Sequence, residues 1–417
     1  MIKIFFKTYG CAHNQSDSEV MMGLLLDAGH KIVKTKKEAD ILIYNTCTVK
    51  DPSEKKFLSE LRNTDKKIVV AGCIPQSEPE LNELKNYSLV GVKQIHRIVE
   101  VVKETLAGNI VQLLMHTKSK RQNLPKVRRN NLIEIIPLSN GCLGNCAYCK
   151  VKSARGDLES FCEDEIIEQF KTAVLEGVKE FWLTSEDTGT YGLDIGTNLP
   201  KLLKKILEIP GDYRIRLGMI NPQYVKKYLK ELITIYKDSR MFKFIHIPVQ
   251  SGSNPVLKIM NRKYSVSDFK TFVLKLRKNI PNITIATDII CGFPTETDKD
   301  FKMTLELVKE FQFPVLNISK FYPRPKTKAA LMPLLITEIP KERSKQLVLL
   351  NNSLRCNDSW LSWEGDVFVD EKGKNNSFIG RNDFYKLVVL KGEELLGKRI
   401  RVKIIAVRRN YLEGEVI

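Results

Sequence analysis

The sequence predicts an α/β protein in three parts. A small parallel α/β domain spans 1–115, a (β/α) barrel spans 132–355 and a small antiparallel β-barrel spans 356–417, with a basic linker over 116–131. Three observations carry that prediction. Strand and helix signals alternate from the start to about residue 110 and again from 132 to about 350, the rhythm of parallel sheets covered by helices. The remainder changes to short β-rich runs separated by Gly and Asn, as small antiparallel barrels do. A chain of 417 residues also exceeds the length at which one hydrophobic core stops growing.

In chain order, residues 2–8 are β-rich, and 17–28 has helical spacing that ends at Gly29. The apolar run 39–45 reads as a second strand, 52–62 as a helix and 67–71 as a third strand. The linker carries Lys118, Lys120, Arg121, Lys126, Arg128 and Arg129 with no acidic residue. Strands of the second series are expected at 132–138, 180–184, 214–219, 244–249, 284–290 and 316–321, with helices between most of them. Such a barrel, open or closed, keeps its working groups at the carboxyl ends of its strands. Runs at 366–369, 387–390 and 399–407 are the strands expected of the last barrel.

Lys and Arg outnumber Asp and Glu by 67 to 49, a net charge of +18 that favours an anionic partner, nucleic acid first. No apolar run is long enough to span a membrane, and the amino terminus enters a strand pattern without a secretory signal. A cytoplasmic monomer is therefore expected. Nine cysteines in such a chain argue against a disulfide framework and toward metal or redox use.

Six of the cysteines form two sets. Cys142, Cys146 and Cys149 lie in Gly141-Cys142-Leu143-Gly144-Asn145-Cys146-Ala147-Tyr148-Cys149, directly after the strand at 132–138. Three thiolates on a short loop hold three irons of a [4Fe–4S] cluster and leave the fourth iron open for a ligand. Structural zinc would need a fourth protein ligand, such as Cys162. Cys11, Cys47 and Cys73 are far apart in sequence, but each stands where a predicted strand ends. In a parallel sheet all of them reach the same carboxyl edge, where ligands bind. Buried core cysteines would sit inside strands instead. Cys162, Cys291 and Cys356 read as core or surface thiols.

These motifs resemble the radical S-adenosylmethionine methylthiotransferases over essentially the whole chain. Thr8-Tyr9-Gly10-Cys11-Ala12-His13-Asn14-Gln15-Ser16-Asp17-Ser18-Glu19 and Ser185-Glu186-Asp187-Thr188-Gly189 are similar to the archaeal and eukaryotic branch. That branch acts on N6-threonylcarbamoyladenosine at tRNA position 37. The resemblance implies two [4Fe–4S] clusters, one on Cys142, Cys146 and Cys149 and one on Cys11, Cys47 and Cys73. It also implies S-adenosylmethionine as cofactor and a terminal RNA-binding barrel of the TRAM type. The radical cluster would cleave the cofactor, and the auxiliary cluster would deliver a methylthio group to adenine C2. A sulfur source and an electron donor are required in addition. Tyr148, Glu186, Asp187, Arg216 and Gln250 are the residues expected to touch the cofactor. The stretches 246–253 and 288–296 would line the cavity. Relatives acting on a ribosomal-protein side chain or on isopentenyladenosine are the alternatives.

In the last barrel, residues 398–409 hold six basic residues and no acidic one. On a strand, Arg399, Arg401 and Lys403 share one face by period-two alternation, and phosphate contact is their expected role.

Overall fold

The structure is a computed structural model of the chain. It describes all residues except 49, 50, 119, 120 and 122, together with the side chains of 51–53 and 55. Lys120 of the basic linker lies outside the described residues.

The amino-terminal domain is one parallel sheet. Its strands are β1 (Lys3–Thr8), β2 (Lys31–Val33), β3 (Ile41–Thr46), β4 (Lys67–Gly72), β5 (Ser88–Val90) and β6 (Gln112–Leu113), in the order β2-β1-β3-β4-β5-β6. Every residue of β3 is buried, as expected of a central parallel strand covered on both faces. One face packs Ile4, Ile41, Ile43 and Val69, and the other packs Leu42, Tyr44 and Val70. The sequence reading finds β1, β3 and β4 but not β2, β5 or β6, whose two or three residues are too few to show a period.

The central domain begins with β7 (Ile133–Pro137). A short antiparallel pair, β8 (Ser139–Asn140) and β9 (Glu159–Ser160), then brackets the second cysteine loop. The remaining barrel strands are β10 (Glu180–Thr184), β11 (Arg214–Leu217), β12 (Phe244–His246), β13 (Thr284–Cys291) and β14 (Val315–Lys320). They pair in parallel as β11-β10-β7 and as β12-β13-β14. The halves join where Ile215 bridges Met241 and the Phe242 amide donates to the Ile215 carbonyl at 3.0 Å. The result is an open barrel with β7 and β14 at its edges. Leucine, isoleucine and aromatic side chains of the surrounding helices fill its outer core.

The β7 edge is covered from the amino-terminal domain. Helix α1 (Ala12–Asp27) crosses it, with Ser16 Oγ donating to the Ile135 carbonyl at 3.3 Å. The linker straps down the same edge. Lys126 pairs with Glu134 at 2.5 Å and with Glu19 at 3.3 Å, and Arg128 pairs with Glu134 and with Glu176. A stretch that reads locally as unpaired charge thus finds its acids elsewhere in the chain.

The last strands, β15 (Glu364–Lys372), β16 (Ser377–Asn382), β17 (Leu387–Lys391), β18 (Arg399–Val407) and β19 (Leu412–Val416), close as β15-β16-β17-β19-β18. This barrel docks at the amino ends of the central strands. Tyr385 packs edge-on against Phe242 and tilted against Phe244, with ring centroids at 4.8 and 4.9 Å, and Asp383 accepts from Arg214 Nε at 2.9 Å.

Candidate iron–sulfur and cofactor site

Cys11, Cys47 and Cys73 follow β1, β3 and β4, which are neighbours in the sheet, so the topology gathers them at one edge. Gly10 makes the approach sterically feasible. Its φ is +109°, and a Cβ there would meet Cys47 Cβ at 2.6 Å and Sγ at 3.0 Å. Asn14, in the first turn of α1, is fixed by donating to the Tyr9 and Thr46 carbonyls at 3.2 and 2.7 Å. Its Oδ1 consequently faces two thiols, Cys11 at 3.7 Å and Cys73 at 3.8 Å. Burial pushes the Cys11 thiol up and the Cys73 thiol up to about 12. The neighbouring thiols add to both shifts, and the Arg155 guanidinium opposes them.

On the second loop each sulfur already accepts a hydrogen bond. Gly144 N–H donates to Cys142 at 3.2 Å, Val151 N–H to Cys149 at 3.4 Å and Arg262 Nη1 to Cys146 at 3.2 Å. Gly144 sits between two of the thiols, since a Cβ there would lie 3.3 Å from Cys142 Sγ and 3.8 Å from Cys146 Sγ. Burial raises Cys142 to about 12 and Cys149 to about 11, with contributions from the other thiols of the loop. Thiols stacked so closely ionise readily only when a cation or metal takes up the charge. Among the described residues, no three His, Cys, Asp or Glu side chains converge on one point where a single ion would sit. A [4Fe–4S] cluster attaches each thiolate to a different iron and does not ask for that convergence.

A buried polar network joins the two loops. Arg155, at the end of the helix Val151–Arg155, donates to Asn14 Oδ1 and Asp17 Oδ2, both at 2.8 Å, and to Asn140 Oδ1 at 3.1 Å. Its Nε pairs with Glu186 Oε1 at 3.1 Å, and His13 Nδ1 lies 2.9 Å from the same oxygen. Burial alone would raise Asp17, but Arg155 and Arg121 overcome it and hold the carboxyl at about 2. Glu186 acts electrostatically on Cys11, Cys73 and Cys149 alike. One carboxylate therefore stands between the two triplets. Its Oε2 and the neighbouring Ser185 Oγ are buried without a hydrogen-bond partner, acceptors open to an ammonium group.

Tyr148 packs edge-on against Phe293 at 6.4 Å, in a cluster with Ala147 and Met260. Asp187 is buried and caps the turn after β10, with Oδ1 accepting from the Gly189 and Asn221 amides at 3.1 Å; burial raises its carboxyl to about 6. Gln250 adopts φ +70° and bridges β13 through its backbone, donating to the Asp288 carbonyl at 2.8 Å. That strained conformation in a non-glycine residue is a mark of functional loops. Arg216 is placed differently. Its guanidinium lies over the rings of Trp182, Phe244 and Tyr385 at 5.5 to 5.6 Å, toward the docked terminal barrel. The cation beside the cysteine loop is Arg262, which the sequence reading misses, as it misses Arg155 and Asn14.

Arg399, Arg401 and Lys403 alternate on the exposed face of β18, with Val402 and Ile404 in the barrel core. Arg399 pairs with Asp212 of the central domain at 3.1 Å, and Lys403 pairs across the strands with Glu364 at 3.0 Å. Cys162 is exposed at the start of the helix Glu163–Leu175, Cys291 is buried at the end of β13, and Cys356 is half-buried.

An open parallel barrel carrying three cysteines on its first loop is the architecture of the radical SAM superfamily, whose model matches residues 136–308. The models named uncharacterized protein family UPF0004 and TRAM domain match residues 3–91 and 364–417. Relatives named threonylcarbamoyladenosine tRNA methylthiotransferase share 45% identity in Danio rerio (99% of this chain, 78% of that one) and in Homo sapiens (100% and 74%). One named a probable threonylcarbamoyladenosine tRNA methylthiotransferase, from Pyrococcus horikoshii, is 39% identical over the full length of both. The chain belongs to this methylthiotransferase family. In fold it is similar to the radical S-adenosylmethionine methyltransferase TsrM from Kitasatospora setae, at TM-score 0.56 and 14% identity, covering 78% of this chain and 76% of that one.

Proposed function

We propose that this protein converts N6-threonylcarbamoyladenosine at tRNA position 37 to its 2-methylthio derivative. The observation that carries the reading is the joint between the triplets, where Glu186 and Arg155 connect the Cys11, Cys47, Cys73 edge to the Cys142, Cys146, Cys149 loop. A transfer that draws on both sets needs them around one cavity. When bound, two [4Fe–4S] clusters and S-adenosylmethionine supply the radical cleavage and the methylthio group.

The chain's own residues position and shield. Cys142, Cys146 and Cys149 hold one cluster and Cys11, Cys47 and Cys73 the other. The unpartnered Glu186 Oε2 suits the cofactor's amino group, and Arg262 suits its carboxylate better than Arg216 does. Tyr148, Asp187 and Gln250 complete the cofactor's surroundings. The tRNA docks on the terminal barrel through Arg399, Arg401 and Lys403, whose phosphate contacts orient it without reading sequence. The reading divides the chain at 1–115, 116–131, 132–355 and 356–417 and takes it as a cytoplasmic monomer. No helix among the described residues is long and apolar enough to cross a membrane.

The test is anaerobic incubation of the reconstituted enzyme with three substrates, tRNA bearing the threonylcarbamoyl base and tRNA bearing isopentenyladenosine, both read by nucleoside mass spectrometry, and ribosomal protein, read by peptide mass spectrometry. The expected product is 2-methylthio-N6-threonylcarbamoyladenosine. Product from either of the other substrates alone overturns the assignment.

A further inference from the structure

We propose that Arg155 is a positioning residue for the amino-terminal cluster, a fixed buried cation that orients Asn14 beneath Cys11 and Cys73 and balances the charge of the bound thiolates. The inference rests on the reading that Cys11, Cys47 and Cys73 hold a [4Fe–4S] cluster.

The geometry gives Arg155 access to that edge from the other domain. Its helix follows Cys149 directly, and the preceding Ala154 packs against Cys73 and Val92. The side chain itself is 3% exposed. Its planar fork serves four different residues, Asn14, Asp17, Asn140 and Glu186.

Asn14 is the key contact. Its amide nitrogen is committed to two carbonyls, so its oxygen must face the thiols. In the protonated state the thiols donate to that oxygen. Once ionised on iron they cannot, and a bare carbonyl oxygen would then confront electron-rich sulfur. Arg155 Nη2, 2.8 Å away, supplies the donor that keeps the oxygen satisfied.

Charge balance points the same way. Asp17 is already paired with Arg121, whereas Glu186 faces Arg155 and a His13 imidazole that burial keeps toward its neutral form. Removing Arg155 would leave Glu186, as well as the bound thiolates, without that cation. Three thiolates outweigh an oxidised [4Fe–4S] core by one negative charge, and reduction adds another. A buried cation near that charge favours the reduced cluster, while a purely structural clamp between the domains would leave the cluster's potential alone.

The test uses the full-length chain with Cys142, Cys146 and Cys149 replaced by Ala, so that iron reports on the amino-terminal site. In this background the parent, Arg155→Gln and Arg155→Lys are compared for iron content, iron loss to a chelator and midpoint potential by EPR-monitored titration. Arg155→Gln should lower the reduced fraction at fixed poise about tenfold, a shift of about 59 mV downward for a one-electron couple. Arg155→Lys keeps the charge and should stay near the parental potential, but it lacks the fork and should lose iron faster. An unchanged potential in the Gln variant overturns the proposal, as does an equal drop in both variants. If the Gln variant does not fold, the Lys variant decides alone: parental potential with faster iron loss supports the proposal, and parental iron retention overturns it. A parent chain that binds no iron rejects the cluster reading itself.

Discussion

Replacing Arg399, Arg401 and Lys403 together with Gln tests whether the terminal barrel docks RNA. All three project from the exposed face of β18, but two are engaged, Arg399 with Asp212 at 3.1 Å and Lys403 with Glu364 at 3.0 Å. Exposed ion pairs of this kind are worth roughly 0 to 1 kcal/mol, so a phosphate can exchange for either carboxylate. Each phosphate contact contributes about 0.7 to 0.9 to the slope of log affinity against log salt, so three contribute roughly 2 to 3 units. Between about 50 and 200 mM salt the wild type should lose roughly 20- to 40-fold more tRNA affinity than the triple variant. Arg401→Gln alone, which breaks no ion pair found among the described residues, should remove about one contact's worth of slope. The assay is fluorescence anisotropy of tRNA across a salt series. Cofactor cleavage without RNA serves as control and should not change, because the variant residues are remote from the cysteine loops. Unchanged slope and affinity would refute RNA docking by this face and favour a protein substrate.

Three further outcomes are expected. Replacing Cys142, Cys146 and Cys149 with Ala should abolish cofactor cleavage but leave about four irons bound, whereas replacing Cys11, Cys47 and Cys73 should keep cleavage and stop methylthio transfer; product from the second variant would refute the division of labour. Cys162→Ala should retain iron and cleavage near wild type, since this thiol is exposed at a helix start; loss of about four irons would make it a ligand. Asp17 is held at about 2 by Arg155 and Arg121 against burial, so its stabilisation is full above about pH 4 and is lost as pH falls through 2. Denaturant unfolding should show Asp17→Asn less stable than wild type at neutral pH, with the gap closing by about 2 kcal/mol toward pH 2; a gap independent of pH would place the carboxyl outside the network.

The parts of this molecule that sequence makes legible are those with local signals. The strand Glu180–Thr184 and the strand Arg399–Val407 agree residue for residue with the expectation, because each is a clean β-rich run between turn residues. Two strands of the last barrel are invisible by the same criterion. Ser377–Asn382 contains Gly380 and polar ends, and Leu412–Val416 alternates with Gly414 and two glutamates. Both are held by their neighbours in a closed barrel rather than by their own propensity. Cys11, Cys47 and Cys73 are legible because each follows the end of a strand, and Cys142, Cys146 and Cys149 because of their spacing on one loop. Arg262 and Arg155 are not, since what defines them is a distance to residues more than a hundred positions away.

Helix α1 shows why the interface escapes a local reading and why it matters. Apolar spacing starts the helix at residue 17, yet it begins at Ala12. The missed turn holds His13, Asn14 and Ser16, polar residues that look like a solvated loop, and all are 1% exposed, as is Asp17 just beyond them. Burying such groups is unfavourable unless each finds a partner. The Asn14 amide nitrogen bonds within the first domain, to Tyr9 and Thr46, but the other partners come from beyond it: the Ile135 carbonyl for Ser16, Glu186 for His13, Arg155 for the Asn14 oxygen, and Arg121 and Arg155 for Asp17. The edge that carries Cys11 is therefore completed only when the central barrel is in place. Neither cysteine loop is built independently of the other, and an amino-terminal domain expressed alone should expose this turn and hold its cysteines less rigidly.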